Sequence, residues 1–485
     1  MKKHLQVMKF GGTSVGDAKC ISRVADIVQR AAKDNSLVIV VSAMSGVTNT
    51  LIEAANRSEA GDRDYALGLL EKLRNQHEVA LAELIKNPAT REKLAARISE
   101  ILGEAKRLCE GTALLRQLTP RTLDTVSSLG ERLTAPLVAG VLSERGIESE
   151  GIEATELIIT DSHHGGAEPL EDRTKERCEA RLRPLLDRGG IPVVTGFIGA
   201  TVDGVLTTLG RGGSDYSGTI LGAATGADEV IIWTDVNGVL TADPRLVPDA
   251  QTIPEISYRE AAELAYFGAK VLHPKTLRAV SRMGIPVWIR NSFQPDNPGT
   301  KITPEGQEGP RGVKALTAIS DVSLIAVGGP GIIGLPDVVG RTFSTTAAAR
   351  VPVLLISQSS SQNDICFVVS SADGKRTAEA LRAQFAQDLM HQKVDHVTID
   401  SNIAIVAVVG ENMRGTVGIS GRTFSVLGRE NVNIIAIAQG SSETNISFVL
   451  ARSDMKKALI AVHNEFALDS RVAAPAARET TDVAR

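Results

Sequence analysis

At 485 residues the chain is too long for one hydrophobic core, so two or three domains are expected. Hydrophobic residues at 43% and charged ones at 23% describe an ordinary globular protein, while a net charge of −4 and 3% aromatics supply neither the basic surface nor the stacking platforms of a nucleic-acid binder. The four cysteines (Cys20, Cys109, Cys178, Cys366) lack CxxC or Cys/His ligand spacing and no run has the length of a signal peptide or membrane span, so a reducing cytoplasm fits and neither a disulfide framework, a zinc site nor a membrane is expected.

From the N-terminus, short β-branched runs bounded by glycine and small polar residues recur to about residue 290: "LQVMKFGG", "SLVIVVSAMSG", "GIPVVTGFIG", "DEVIIWTDVNG" and "GIPVWIRNS". Continuous apolar runs of this kind are strands buried on both faces. With helical stretches between them they predict an open, mainly parallel α/β sheet with helices on both faces. The first run ends in "MKFGGTS", where Lys9 is followed by Gly11 and Gly12, whose missing side chains let backbone amides reach an anion, and by Thr13 and Ser14. Lysine with a glycine turn is a phosphate-binding arrangement, although paired glycines also serve ordinary tight turns. The second run ends in "VSAMSGVTN", gathering Ser42, Ser45, Thr48 and Asn49 at the carboxyl edge, where ligands of open α/β sheets bind. Capping of the next helix by Ser45 or Thr48 is the plainer alternative.

Between about residues 62 and 117 a helical insert places Leu94, Ile98, Ile101, Leu102, Ala105 and Leu108 at helical spacing, a packing surface without chemistry of its own. "SSLGERL" then sets Glu131 at an expected helix start, where the dipole favours an acid. "TTLGRGGSDYSG" closes a strand and opens a helix, with Ser214 or Asp215 as the expected N-cap. An Asp there is more often structural than catalytic, but Arg211, next to Gly212 and Gly213, has no work in a plain turn. Phosphoryl transfer needs positive charge on the transferred group and an oriented acceptor. Lys9 and the glycine amides suit the phosphate, Arg211 a planar carboxylate held by two parallel hydrogen bonds, Glu131 an ammonium, and Asp215 the orientation of Lys9 and the metal nucleotide. An acceptor with both a carboxylate and an amine is implied. No GxxxxGK[ST] occurs, so a P-loop is not used, and the GxGxxG match at Gly329, Gly331 and Gly334 is set aside because the following "VPVLLIS" ends in no acid.

"NSFQPDNPGTKITPEGQEGPRG" has no hydrophobic period and reads as a linker, with a boundary near residue 300. Beyond it the stretch from Gly340 repeats without a gap from Gly421, 81 residues on. Phe343 meets Phe424, Gln358 meets Gln439 and Phe367 meets Phe448, and each copy reads as a small α+β module. The tail "VAAPAARETTDVAR" has little to bury and is expected to be disordered.

Taken together and in order, "KFGGTS", "VSAMSGVTN", "GERL", "TTLGRGGSDYSG", "WTDVNGVLTADPR" and "FGAKVLHP" resemble the aspartate kinases of the amino-acid kinase superfamily, and the repeated modules resemble their tandem ferredoxin-like ACT domains. The resemblance implies a catalytic domain over 1–300, a linker and first strand of the second ACT domain over 301–319, the first ACT domain inserted over 320–394, the rest of the second over 395–471, and the tail over 472–485. It implies transfer of the γ-phosphoryl of ATP, with Mg2+, to the β-carboxylate of L-aspartate, the first step toward lysine, threonine and methionine. Lys9 and Asp215 would be catalytic; Arg211, Ser42, Thr48, Glu131, Gly212, Gly213 and Ser214 would hold aspartate. Lys9, Gly11, Gly12, Thr13, Ser14, Thr234, Asp235, Asp243, Arg245 and Lys270 would meet the nucleotide, with no resident metal site. Leu240 stands where the family commonly has a tyrosine near the nucleotide, and His273 reads as a packed loop residue. Gln358, Gln439, Asn445 and Ile446 would meet an amino-acid effector; uncharged amides, with Leu354 where lysine-responsive members carry an acid, favour threonine over lysine. Pairing of ACT modules without an effector is the alternative. A homodimer or higher oligomer through these modules is expected, and the chain ends before any homoserine dehydrogenase part of the bifunctional relatives. A kinase of another amino acid, such as glutamate, and a sensor without catalysis remain as rivals, the second disfavoured by intact Lys9, Arg211 and Asp215.

Overall fold

The strand His4–Phe10 turns Met8 and Phe10 to one side and Val7 and Lys9 to the other, and the first part of the molecule is built around that alternation. The computed structural model describes residues 3–268, 272–307, 312–329, 336–358 and 364–469. Eight strands form its main sheet in the order Ser149–Ile152, Ile191–Thr195, Asn35–Val41, His4–Phe10, Glu229–Thr234, Val287–Asn291, Thr300–Thr303, Glu255–Ser257. All neighbours are parallel except Val287–Asn291 and Thr300–Thr303. Met8, Phe10, Leu37, Ile39, Val41, Val193 and Trp233 share a core with the helix Ala18–Ala31 and the helices from Val47 to Glu144. On the opposite face the helix Gly213–Thr225 lies so close that a Cβ on Gly218 would stand 3.1 Å from Lys9 Cβ. Helices therefore cover both faces, which is why these strands are apolar without interruption.

The helical insert is a pair, Arg63–Leu84 and Pro88–Leu115, with Leu94, Ile98, Ile101, Leu102 and Ala105 buried as their spacing demands. Thr300–Thr303 is a strand inside the stretch that reads as linker. Four residues are too few to show a period, and the return depends on Gly299 at φ 74°, where any Cβ would collide with Ile289 O.

The chain divides into two compact units, the first of Met1–Val239, Pro254–Ala262 and Lys270–Gly306, the second of Leu240–Ile253, Glu263–Ala269 and Gln307–Arg485. The stretch Leu240–Ile253, counted with the first 300 residues on sequence grounds, packs in the second unit: Ala242 and Val247 enter its core, and Leu316 N donates to Thr241 O at 2.8 Å.

The second unit is one antiparallel sheet, Leu355–Gln358, Asp364–Ser370, Ala315–Gly328, His396–Val409, Asn445–Ala451, Ile434–Ala438. Its two 14-residue strands each serve twice. Val322–Gly328 pairs with Asp364–Ser370 and Ala315–Ile319 pairs with Ile405–Val409, with a register break between. Ala315–Ile319, which precedes the first repeat in the chain, thus lies in the sheet beside the strands of the second. The repeat is visible in the cores: Phe343 packs on Phe367 at 5.6 Å between centroids, and Phe424 on Phe448 at 6.1 Å. The segment "GPGIIG" beyond Gly329, the loop 359–363 and the tail 472–485 lie outside the described residues.

Candidate active site

Lys9 is 6% exposed, one residue before the end of its strand. An ammonium buried there without a partner would be costly, and it lies against Asp215 Oδ1 in the first turn of the helix Gly213–Thr225. After Phe10 the chain turns through Gly11 to Ser14, Gly11 N donating to Trp233 O at 3.0 Å. A Cβ on Gly11 would reach within 3.5 Å of Lys9 Nζ, and one on Gly12 within 3.1 Å of Ala43 O, so the turn sits tight between the lysine and the next loop. Thr13 is exposed, whereas Ser14 is 1% exposed and shares its hydroxyl with Ser292 Oγ at 2.8 Å, tying strand ends together. Ser42, part-exposed, donates its amide to Phe10 O at 3.1 Å. Ser45 Oγ donates to Gly12 O at 3.0 Å, and the helix Val47–Ala60 starts on Gly46 at φ 80° with no side-chain cap. Capping therefore does not account for Ser45 or Thr48.

Glu131 is not at a helix start. It sits in the middle of Pro120–Glu144, whose start signal is Thr119 accepting from Thr122 N at 3.1 Å with Pro120 next, so no helix dipole supports the acid. Gly130 brings this helix close, since a Cβ there would meet Ala43 Cβ at 2.6 Å. Glu131 is 3% exposed; Ser214 Oγ donates to its Oε1 at 3.5 Å, and its Oε2 has no hydrogen-bond partner among the described residues. Burial pushes the carboxyl up to about 8, against the pull of the Ala43 and Glu131 amides, the Lys9 charge and the Ser214 hydroxyl. A buried acid left short of donors marks a functional site more often than a structural one.

The cap of Gly213–Thr225 is Gly212, left-handed at φ 72° and without a side-chain bond, in place of Ser214 or Asp215. Freed from capping, Ser214 turns to Glu131 and Asp215 to Lys9. A Cβ on Gly212 would meet His273 Cβ at 2.6 Å and one on Gly213 the Phe197 ring at 2.8 Å, so no larger residue fits this bend. Arg211 at its tip is exposed and makes no hydrogen bond or ion pair among the described residues.

Lys9, Gly11, Gly12, Glu131, Ser214 and Asp215 are thus brought together, with Ser42 and Arg211 on the loops beside them. Thr234 ends its strand with Oγ1 donating to Asp235 Oδ1 at 3.2 Å. Asp243 and Arg245 belong to the second unit, where Arg245 Nε donates to Asp243 Oδ1 at 2.9 Å; Lys270 lies outside the described residues. Gln358 ends one edge strand and Gln439 follows the other, both exposed, and Ser357 Oγ donates to Ile437 O at 3.1 Å between those strands. Asn445 Nδ2 donates to Glu263, and the Ile446 side chain lies in the core.

Two residues escaped the sequence reading. Phe197 holds a left-handed φ of 71°, its amide donating to Ser217 Oγ and its carbonyl accepting from Leu209 N, both at 2.9 Å; no sequence signal marks a phenylalanine for that conformation. Asp124 stands seven residues before Glu131 on the same helix face, a spacing that could have revealed it.

The amino acid kinase family pattern matches residues 4–291. The chain belongs to the amino acid kinase family. ACT domain patterns match 325–385 and 406–466 of this family member. It is 35% identical over 468 residues to bifunctional aspartokinase/homoserine dehydrogenase 1, chloroplastic, of Arabidopsis thaliana, covering 95% of this chain and 51% of that protein. It is 31% identical to aspartokinase 1, chloroplastic, of the same plant, covering 95% and 80%. The chain spans about half the length of most curated relatives it matches. Among solved structures, E. coli aspartokinase III in complex with aspartate and ADP matches with TM-score 0.79 and 32% identity, covering 95% of this kinase-family chain and 99% of that one. Clostridium acetobutylicum aspartate kinase matches with TM-score 0.78 and 27% identity, covering 95% and 100%.

Proposed function

We propose that this protein transfers the γ-phosphoryl group of MgATP to the β-carboxylate of L-aspartate, giving 4-phospho-L-aspartate and ADP, under control of an amino acid at its C-terminal modules. The observation that carries the reading is the pairing of buried Lys9 with Asp215 at a glycine turn, with Glu131 Oε2 beside it lacking a hydrogen-bond partner among the described residues. Similarity to aspartokinases over 95% of the chain, one of them solved with aspartate and ADP, supports the choice of acceptor and nucleotide.

In this reading a β-carboxylate oxygen of aspartate forms the new bond to the γ-phosphorus while the bond from that phosphorus to the β,γ-bridging oxygen breaks. The acceptor is already ionised, so no base is required. Catalysis is then positioning and charge: Lys9, oriented by Asp215, neutralises the transferring oxygens, and the amides around Gly11, Gly12 and Thr13 add donors, with Ser14 bracing the turn. Arg211 takes the α-carboxylate, helped by Ser42, Thr48 and the Gly212–Ser214 bend, and Glu131 takes the ammonium. Thr234 and Asp235 at the end of their strand serve the nucleotide. Magnesium carried on the phosphates supplies Lewis-acid charge neutralisation, and Asp215, a carboxylate beside the phosphate-binding turn, fits that partner.

For regulation we favour threonine over lysine, because Gln358 and Gln439 present neutral amides at equivalent strand ends. Exposed Ile356, Ile435 and Ile437 on the two edge strands support assembly of two copies through these modules. The test is ADP release from MgATP with aspartate, with glutamate as a control acceptor, repeated with threonine and with lysine. Aspartate-dependent release suppressed by threonine is expected. Release with glutamate only, or threonine binding without turnover, would replace the reading by another amino-acid kinase or by a sensor. Inhibition unchanged in Gln358→Ala/Gln439→Ala would remove the effector assignment.

A further inference from the structure

Asp124 is 3% exposed, and every acceptor position of its carboxylate is in use. Thr208 Oγ1 donates to Oδ1 at 2.6 Å, Thr208 N to Oδ2 at 3.3 Å, Gly165 N to both oxygens at 3.1 Å and His164 Nδ1 to Oδ2 at 2.8 Å. Two carboxylate oxygens offer about four lone-pair sites, so this carboxylate is saturated by groups from two separate parts of the chain, Thr208 and His164–Gly165. A helix needs no such network for itself, and the groups it gathers all border one feature.

That feature is the bend carrying Arg211. Thr208 ends the strand that leads into it, and Thr208 O accepts from Ala167 N at 2.9 Å. Gly210, left-handed at φ 77°, rests on the loop held by Asp124, since a Cβ on it would meet Gly165 O at 2.8 Å. Gly213 N closes the bend on Gly210 O at 2.9 Å. On the far side of the bend Ser214 reaches Glu131, two helical turns from Asp124 on the same face. One helix therefore holds the bend at both ends, by Asp124 before Arg211 and by Glu131 after it, while the arginine itself makes no hydrogen bond or ion pair among the described residues.

We infer that Asp124 is a positioning residue that sets Arg211 for the acceptor's carboxylate, through Thr208 and the His164–Gly165 loop. Its role rests on the proposed reading of Arg211 as the carboxylate-holding group. An exposed arginine with mobile stem loses binding when it must be ordered by the ligand, and fixing the backbone on either side reduces that loss. Asp124→Asn would leave one acceptor oxygen and turn an amide NH2 toward at least one existing donor, so the bend would loosen without emptying the site.

The test uses the full chain with Asp124→Asn, Thr208→Val and Thr208→Ser. For Asp124→Asn and Thr208→Val a rise of about tenfold or more in KM for aspartate is expected, with KM for MgATP within twofold of wild type and kcat changed less than KM. Thr208→Ser, which restores the hydroxyl, should return KM to near wild type. Hydrogen–deuterium exchange of the ligand-free protein should show faster exchange across residues 206–213 in the first two variants and not in Thr208→Ser. Unchanged exchange and unchanged KM would overturn the inference, as would an equal loss in both KM values and kcat, which is what a general folding defect produces. Should Asp124→Asn fail to fold, the two Thr208 variants decide alone. A wild-type protein with no aspartate-dependent turnover would sink the functional reading, while the exchange experiment would still judge the grip of Asp124 on the bend.

Discussion

The first unit concentrates its buried charges at one place, whereas the second repeats one kind of core. In the first, Lys9, Asp124, Glu131 and Asp215 converge under one sheet edge and one bend, and Glu131 Oε2 has no hydrogen-bond partner among the described residues. In the second, the two modules are held by matched apolar cores, and their repeated charges stay near the surface: Arg341 lies over Phe385 at 4.6 Å and Arg422 over Phe466 at 4.4 Å. A core of interchangeable aromatic pairs can be duplicated without loss, whereas a site that relies on under-satisfied groups exists once and has to be paid for by the packing around it. The modules are not fully equivalent either, because only the second takes Ala242 and Val247 into its core.

The largest effect that would break this contrast is at Lys9. Lys9→Ala should lower kcat by on the order of 10³-fold with the fold intact, measured as ADP release beside a thermal melt. Activity within tenfold of wild type would mean the buried pair is structural. For the modules, Phe367→Ala and Phe448→Ala should each cost about 3–5 kcal/mol in denaturant unfolding, the full price of a buried ring. Only Phe448→Ala should raise hydrogen exchange across 240–253, since that segment shares its core; equal exchange in both variants would make the two cores alike after all.

A smaller effect concerns pH. Glu131 has its carboxyl raised from 4.5 to about 8 by burial, so between those values the folded protein holds a proton that the unfolded chain has released. Its stabilising contribution is fully present below 4.5 and is lost as pH rises through about 8. The ligand-free protein should therefore lose stability across that window relative to Glu131→Gln, in which the slope disappears. Binding of the acceptor's ammonium at pH 7 should expel the proton, so that KM for aspartate falls as pH rises toward 8. Heats of aspartate binding that do not depend on the ionisation enthalpy of the buffer would contradict this. The groups facing Glu131 from other elements are Lys9, Ser214 and the Ala43 amide. Smallest of all, Arg341→Met and Arg422→Met should each cost about 1 kcal/mol, matching one another because the ring contact is the same in both modules.

What the sequence by itself determined is whatever one stretch of chain can encode. Unbroken apolar runs announced a parallel sheet covered on both faces, because such strands have nowhere polar to turn. The gapless repeat announced two like modules, because Phe343 with Phe367 and Phe424 with Phe448 must close the same core twice. The glycines around Lys9 and Arg211 announced tight turns with charge beside them. Tertiary structure decided the rest. Glu131 reads as a helix start only until Thr119 and Pro120 claim that role, and Asp215 reads as a cap only until Gly212 frees it to meet Lys9. The strand Thr300–Thr303 is too short to carry a period, and the capture of 240–253 by the second unit depends on Val247 and Leu316 meeting across distant chain. Asp124 is an ordinary helix acid until the fold delivers Thr208, His164 and Gly165 to it. Local periodicity encodes which surface is buried, but the partner of a buried charge is set by chain that lies far away in sequence, and only the packed structure brings it there.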